Sequence, residues 1–197
     1  GEELISRGED PADPGGYFIV NGTEKVLISV EDLMPNNFMV EQESVTGNYV
    51  GKIYSEAGPL RIPHNMVKKK DGIFYVTFTR VQDVPLVVVL KALGLTKDED
   101  IVKGISIERQ FDEILVNLYE FINIKTDEDA LDFISKKMNI TQTKEIRLER
   151  VQEVIDKYLL PHIGGKKEDR LAKAQNLCKM LKHYLRVANG EIAVSDK

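Results

Sequence analysis

The feature that most narrows what this chain can fold into is a change of period near residue 82. Before it, turn residues separate short runs rich in strand-forming side chains, at residues 37–41, 49–56, 60–64 and 73–80. The last run alternates, with Phe74, Val76 and Phe78 on one face and Tyr75, Thr77 and Thr79 on the other. That is the period of a strand covered on one side. Between the last two runs lies Lys68-Lys69-Lys70-Asp71-Gly72, whose Asp-Gly reads as a hairpin tip. After residue 82 the apolar positions recur at helical spacing. Residues 84–94 are ambiguous: a Val-rich centre suits a buried strand, but Pro85 near the start and Gly94 at the end fit a helix better. Thr96-Lys97-Asp98-Glu99 has capping-box spacing and predicts a short helix. Residues 108–121 carry Phe111, Ile114, Leu115 and Leu118 on one helical face. Residues 127–138 follow, with Thr126 as N-cap and acids in the first turn. Residues 143–160 align Leu148, Val151, Val154, Ile155, Tyr158 and Leu159, before Pro161 and Gly164-Gly165 end the helix. A final helix over 167–188 buries Ala174, Leu177, Cys178, Leu181, Leu185 and Ala188. The expected class is α+β, a small antiparallel β part at the amino-terminal side followed by a larger helical part.

Ahead of these elements stands a second punctuated segment. In Asp13-Pro14-Gly15-Gly16, the proline sets φ for the second turn position and Gly15 supplies the positive φ of the third. Asn21-Gly22 then interrupts an apolar run, as a type I′ turn demands, predicting strands over 17–20 and 24–30. Asp13, Pro14, Gly15, Gly16, Asn21 and Gly22 are therefore read as turn builders rather than ligand contacts. Glu9, Asp10 and Asp13 have no His or Cys partner nearby and read as solvated turn residues.

Composition excludes several classes. The net charge is −5, distributed unevenly: residues 1–32 hold eight acids and two bases, and residues 141–197 hold eight acids and twelve bases. An acidic chain lacks the dense Lys/Arg of an autonomous high-affinity nucleic-acid binder, though a basic face at the carboxyl end is compatible with it. Cys178 is the single cysteine, which leaves no intrachain disulfide framework and points to a reducing, cytoplasmic setting. The longest apolar run, 85–90, is far too short to span a bilayer, so no membrane partner is expected.

No phosphate-binding Gly-rich loop, dinucleotide fingerprint or metal-type spacing is present. His64 follows a proline, His162 sits beside the Pro161 break and His183 lies on a charged helix face; each reads as a surface or turn histidine. Cys178 falls in an apolar stripe and reads as a small buried hydrophobe. Two basic clusters remain as candidate DNA-backbone or partner contacts. Lys68, Lys69 and Lys70 cap a hairpin, where a solvated turn is the stronger reading. Lys179, Lys182 and Arg186 recur at i, i+3 and i+7 opposite the apolar stripe, with Lys166 and Lys167 near the helix start. They form a positive face suited to phosphates or an acidic partner, against the plain alternative of a solvated helix face.

The segment from Asp13 to Ile28 closely resembles the DPGGYFI-NG-EKVLI stretch of the second-largest subunit of archaeal and eukaryotic multi-subunit RNA polymerases. Val84-Pro85-Leu86-Val87-Val88-Val89-Leu90-Lys91-Ala92-Leu93-Gly94 resembles a later segment of that family. Ala130-Leu131-Asp132-Phe133-Ile134 and Leu159-Leu160-Pro161-His162-Ile163 follow in the family's order. The resemblance runs from about residue 9 to the end, and the tight spacing between motifs is similar to the archaeal B or B″ type. It implies a strand and hairpin segment over 1–32 shared with the neighbouring protrusion, a lobe domain over 33–190, and a polar tail over 191–197 leading to a further domain. It implies a non-catalytic fragment of a DNA-directed RNA polymerase, a nucleotidyltransferase. Its partners would be the other polymerase subunits, duplex DNA and general transcription factors. No cofactor is expected in this fragment, since the family's magnesium and zinc sites lie elsewhere in the enzyme. A stand-alone α+β interaction module is the competing reading. A small hydrolase with a dispersed site is the third, and it requires convergent polar groups with perturbed pKa values in one pocket.

Overall fold

A computed structural model describes residues 5–8, 10, 12, 15–105 and 111–194. Asp13 and Pro14 lie outside the described residues. The chain divides into two units, Gly1–Leu33 and Met34–Lys197.

The first unit holds an antiparallel hairpin, β1 (Tyr17–Val20) and β2 (Thr23–Val26). Val20 pairs with Thr23, leaving Asn21 and Gly22 as a two-residue loop with φ of 54° and 74°. Positive φ at both positions is the type I′ geometry that the Asn-Gly pair predicts. The second strand stops at Val26, short of the expected residue 30, and Leu27, Ile28 and Val30 are exposed.

The second unit is built on a five-stranded antiparallel meander in the order β3-β4-β5-β6-β7. Its strands are β3 (Met39–Gln42), β4 (Tyr49–Ala57), β5 (Leu60–Lys68), β6 (Phe74–Phe78) and β7 (Val81–Pro85). Burial alternates along β5: Ile62, His64 and Met66 point inward while Arg61, Pro63 and Asn65 are exposed. Pro63 precedes the stretch His64 to Lys68 that pairs with β6, so its missing N–H removes no bond to that strand. Gly51 in β4 leaves room for the Phe38 ring, which occupies the place a Cβ would take.

β7 departs from the sequence reading. The run over 73–80 is broken by a two-residue turn at Thr79-Arg80, where Phe78 pairs with Val81. Thr79 takes φ of 47°, a position glycine usually fills. The chain then returns as an edge strand that ends on Pro85, a residue only an edge tolerates. Helix α1 (Leu86–Ala92) starts directly after it, so the ambiguous segment is strand first and helix second. Every residue of α1 is buried, which explains why its apolar pattern shows no helical stripe. Its end is a Schellman closure: Gly94 N–H donates to Lys91 O, Leu95 N–H donates to Leu90 O, and Gly94 has φ of 96°.

Five further helices follow among the described residues: α2 (Asp98–Ile105), α3 (Phe111–Glu120), α4 (Asp127–Lys137), α5 (Lys144–Tyr158) and α6 (Arg170–Ala188), the last preceded by a 3-10 turn (Lys167–Asp169). Helix α2 begins at Asp98, so Thr96 stands one position before its N-cap. Thr126 caps α4 as expected, with Asp129 bonded back to the Thr126 backbone. α1 packs on β6 and β7, and α6 packs on β3 and β4, so the inward face of the meander is roofed by helices. This is the expected α+β class. Ala174, Leu177, Cys178, Leu181 and Leu185 are buried as the helical stripe predicts, and Met180, Tyr184 and Val187 join them.

Substituting Gly51 by alanine would drive its new methyl group into Phe38. We expect a loss of about 1–3 kcal/mol, read from the urea midpoint at unchanged slope.

Candidate nucleic-acid interface

The three hairpin lysines are not equivalent. The turn that carries them is held by Asp71, whose carboxylate accepts from Ile73 N–H (2.9 Å) and Tyr75 O–H (2.8 Å). Those bonds hold the Asp71 carboxyl below the usual carboxylate range. Lys68 Nζ is ion-paired with Glu113 at 3.0 Å. Lys69 Nζ is ion-paired with Asp83 at 2.8 Å and lies 4.6 Å from the centre of the Tyr75 ring. Lys70 is exposed and makes no ion pair among the described residues. The structure brings this turn beside the end of α6, around a groove of ≈ 340 Å³ lined by Lys68, Lys69, Lys70, Tyr49, Tyr184 and Asn189, among others. Tyr184 fixes that junction: its O–H donates to Tyr49 O (2.7 Å) and its oxygen faces Lys68 N–H at 3.4 Å.

The second cluster is placed on the outer face of α6. Lys179, Lys182 and Arg186 are all exposed, opposite the buried Leu177, Leu181 and Leu185. Arg186 pairs with Glu191 at 3.3 Å. Lys179 and Lys182 make no ion pair among the described residues. Lys166 and Lys167 are exposed at the 3-10 turn, separated from Lys179 by most of three helical turns and by Glu168 and Asp169. The basic residues therefore form separate groups. Of the hairpin lysines, Lys70 is the one uncommitted to a carboxylate. We expect Lys70→Ala to weaken duplex-DNA binding more than Lys69→Ala, measured by fluorescence anisotropy at low salt.

One histidine, His64, corrects the sequence reading. His64 is a core residue at 2% exposure, stacked on Phe78 with ring centroids 5.6 Å apart. The alternation of β5 turns it inward, because it shares a face with Ile62 and Met66. Its Nδ1 donates to Ile62 O (3.0 Å) and its Nε2 accepts from Leu160 N–H (3.0 Å). That pair of bonds requires the neutral Nδ1–H tautomer. Burial pushes its pKa down to about 4. His162 is half-buried, and Ser55 Oγ lies 2.7 Å from its Nδ1 while accepting from its backbone N–H at 3.2 Å. With the His64–Leu160 bond, these contacts pin the turn after α5 to β4 and β5. Within that turn Leu160 takes φ of 44°, an unfavourable value for a branched residue. His183 is half-buried edge-on to Phe38.

Lys173 is a second buried polar residue with no sequence signal: it is fully buried, donates to Asp156 O (2.6 Å) and Ile155 O (3.2 Å) at the end of α5, and burial pushes its pKa down to about 8. Beside it, Arg170 grips the Asp156 carboxylate with two bonds of 2.7 Å and 2.6 Å. Lys91 repeats the device at α3, donating to Ile124 O (2.9 Å) while pairing with Asp98 (3.0 Å). A lysine at an apolar helical position leaves no sequence signal of burial. The perturbed His64 and Lys173 line none of the grooves described here, unlike the convergent pocket a dispersed hydrolase site requires. Cys178 is buried, and its thiol is pushed up to about 11. Among the described residues no group of three or more His, Cys, Asp or Glu could hold a metal ion, and no helix is long and apolar enough to cross a membrane.

Leu115, expected on the buried face of α3, is 41% exposed. With Val102, Leu118, Tyr119 and Ile122 it lines an apolar groove of ≈ 560 Å³ between α2 and α3.

A five-stranded meander roofed by helices defines an α+β domain, and its candidate contacts are surface cations. Residues 35–197 match the family described as RNA polymerase Rpb2, domain 2. The chain is similar over its whole length to DNA-directed RNA polymerase subunit Rpo2N of Methanocaldococcus jannaschii, at 43% identity and covering 41% of that protein. It is 40% identical to subunit Rpo2 of Saccharolobus solfataricus, covering 18%, and 36% identical to Rpo2N of Halobacterium salinarum, covering 39%. The chain belongs to this family: it is the lobe region of an archaeal-type second-largest subunit of multi-subunit RNA polymerase. It spans about two fifths or less of the length of these relatives.

Protonating His64 breaks its bond from Leu160 N–H, so the neutral ring is favoured in the folded state. The unfolded chain binds the extra proton between pH 6.5 and about 4. Stability from this group is complete above pH 6.5 and is lost as pH falls towards 4, about 3 kcal/mol in all. We expect the His64 ring resonances to remain those of neutral imidazole at pH 5.5 in an NMR titration.

Proposed function

We propose that this chain is a non-catalytic part of DNA-directed RNA polymerase, forming a wall of the cleft that receives downstream DNA and an outer docking surface for transcription factors. Membership of the Rpb2 domain 2 family supports this reading most directly. The uncommitted cations Lys70, Lys179 and Lys182 are consistent with it, because short-range attraction to a phosphate backbone needs charges not already neutralised. The apolar groove between α2 and α3 supplies a surface for protein partners. In this reading the partners are the other polymerase subunits, the DNA duplex and initiation factors. The nucleotidyl-transfer chemistry, with its magnesium and the structural zinc, belongs to segments outside this chain.

The hairpin of the first unit fits the same picture. Ile19, Leu27, Ile28 and Val30 are between 70% and 82% exposed. A two-stranded hairpin is marginal alone, so the sheet is to be completed by strands of the neighbouring protrusion. In this reading the lobe proper begins near residue 33.

Replacing Lys179 and Lys182 by glutamate in the assembled polymerase should shorten the open-complex lifetime roughly tenfold at low salt and progressively less as salt rises. An unchanged lifetime at every salt concentration would assign these lysines to a solvated face only. The isolated chain is expected to fold, to be inactive in nucleotide incorporation, and to bind duplex DNA weakly.

A further inference from the structure

A third groove was not signalled by any motif. It lies where the Thr79-Arg80 turn between β6 and β7 approaches the end of α4 and the outer side of α5, and it has a volume of ≈ 720 Å³. Met138, Ile140, Val154 and Tyr158 contribute its apolar part, each only partly buried against the core. Arg80 and Arg150 stand in the same lining, and both are exposed. Neither arginine makes an ion pair or hydrogen bond among the described residues. This sets them apart from Arg147 and Arg170, which are committed to Asp132 and Asp156. Arg80 is also presented by a turn whose first residue, Thr79, holds an unfavourable φ of 47°.

We propose that this groove binds an acidic peptide segment of a partner protein, with carboxylates on Arg80 and Arg150 and an aliphatic or aromatic side chain against Met138, Ile140 and Tyr158. The inference rests on the reading of the domain as a docking surface and names the chemistry of one occupant. Two unneutralised guanidinium groups call for anions, and their planar forks match carboxylate as well as phosphate. The apolar floor separates the two. A nucleic-acid backbone offers no apolar group to bury there, and Glu153 in the lining repels a row of phosphates. A peptide supplies both the charge and the anchor, and its backbone N–H groups can donate to Glu153. A buried apolar anchor ringed by polar contacts is the arrangement that gives protein interfaces their affinity.

The test is a titration of the methyl-labelled chain, followed through the Met138 and Ile140 methyl resonances. The probe is a short synthetic peptide alternating glutamate with phenylalanine and leucine. Saturable shifts at Met138 and Ile140 are expected. They should weaken about tenfold in the Arg80→Ala, Arg150→Ala double variant and about as much when the peptide's glutamates are replaced by glutamine. Both arginines are exposed, so the variant keeps its fold, checked by its unchanged spectrum elsewhere. Equal binding of the glutamine peptide, or the same methyls shifting more strongly with duplex DNA than with the acidic peptide, would overturn the proposal. The open-complex lifetime of polymerase carrying Lys179→Glu and Lys182→Glu does not depend on this groove, so failure of the cleft-wall reading registers separately.

Discussion

The inward face of the β3–β7 meander is the surface on which the rest of the domain depends. Ile53, Ile62, Met66, Phe74, Val76 and Phe78 line a largely apolar face in which His64 and Ser55 are the buried polar members. Burial of such side chains contributes about 1.5–3 kcal/mol each. Helix α1 meets this face at β6 and β7 and is itself enclosed on every side. It can therefore be Val-rich despite the weak helix propensity of β-branched residues, because packing outweighs a few tenths of a kcal/mol per residue. With α1 fixed, α4 and α6 pack on it.

Polar atoms inside this apolar body are placed where backbone groups would otherwise be stranded. His64 satisfies the N–H of Leu160, Lys173 the carbonyls at the end of α5, Lys91 those after α3, and Asn117 the N–H of Phe74. A buried polar group without a partner costs about 1–3 kcal/mol, so each side chain repairs a defect created by an abrupt chain turn. These residues make the core specific. They leave the candidate contacts to the surface, where Lys70, Lys179, Lys182, Arg80 and Arg150 retain charge that nothing in the described chain neutralises.

Much of the architecture was legible locally. Asn21-Gly22, the Thr126 cap, the Gly94 closure and the apolar stripe of α6 are written in nearest-neighbour chemistry, and each element follows it. The turn at Thr79-Arg80 was not legible, because neither residue is a usual turn former and the conformation is imposed by pairing of β6 with β7. The burial of His64 was obscured by reading Pro63 as a turn signal, although alternation with Ile62 and Met66 carried the information. Leu115 shows the opposite error, an apolar residue at helical spacing that the fold leaves at the mouth of a groove. The candidate cations were visible as clusters in sequence. Which of them are neutralised was not, since Glu113 and Asp83 lie far along the chain from Lys68 and Lys69 in a different element or strand.

By itself the sequence determined the class, most of the helices, the glycine-bearing turns and the resemblance to the polymerase lobe, because these depend on short-range sterics, hydrogen bonding and motif order. Only the tertiary structure decided which charges remain free, which histidine is core, and where grooves open between helices. Those properties depend on residues distant in sequence meeting at a few ångströms, where a single carboxylate or carbonyl either satisfies a side chain or leaves it available.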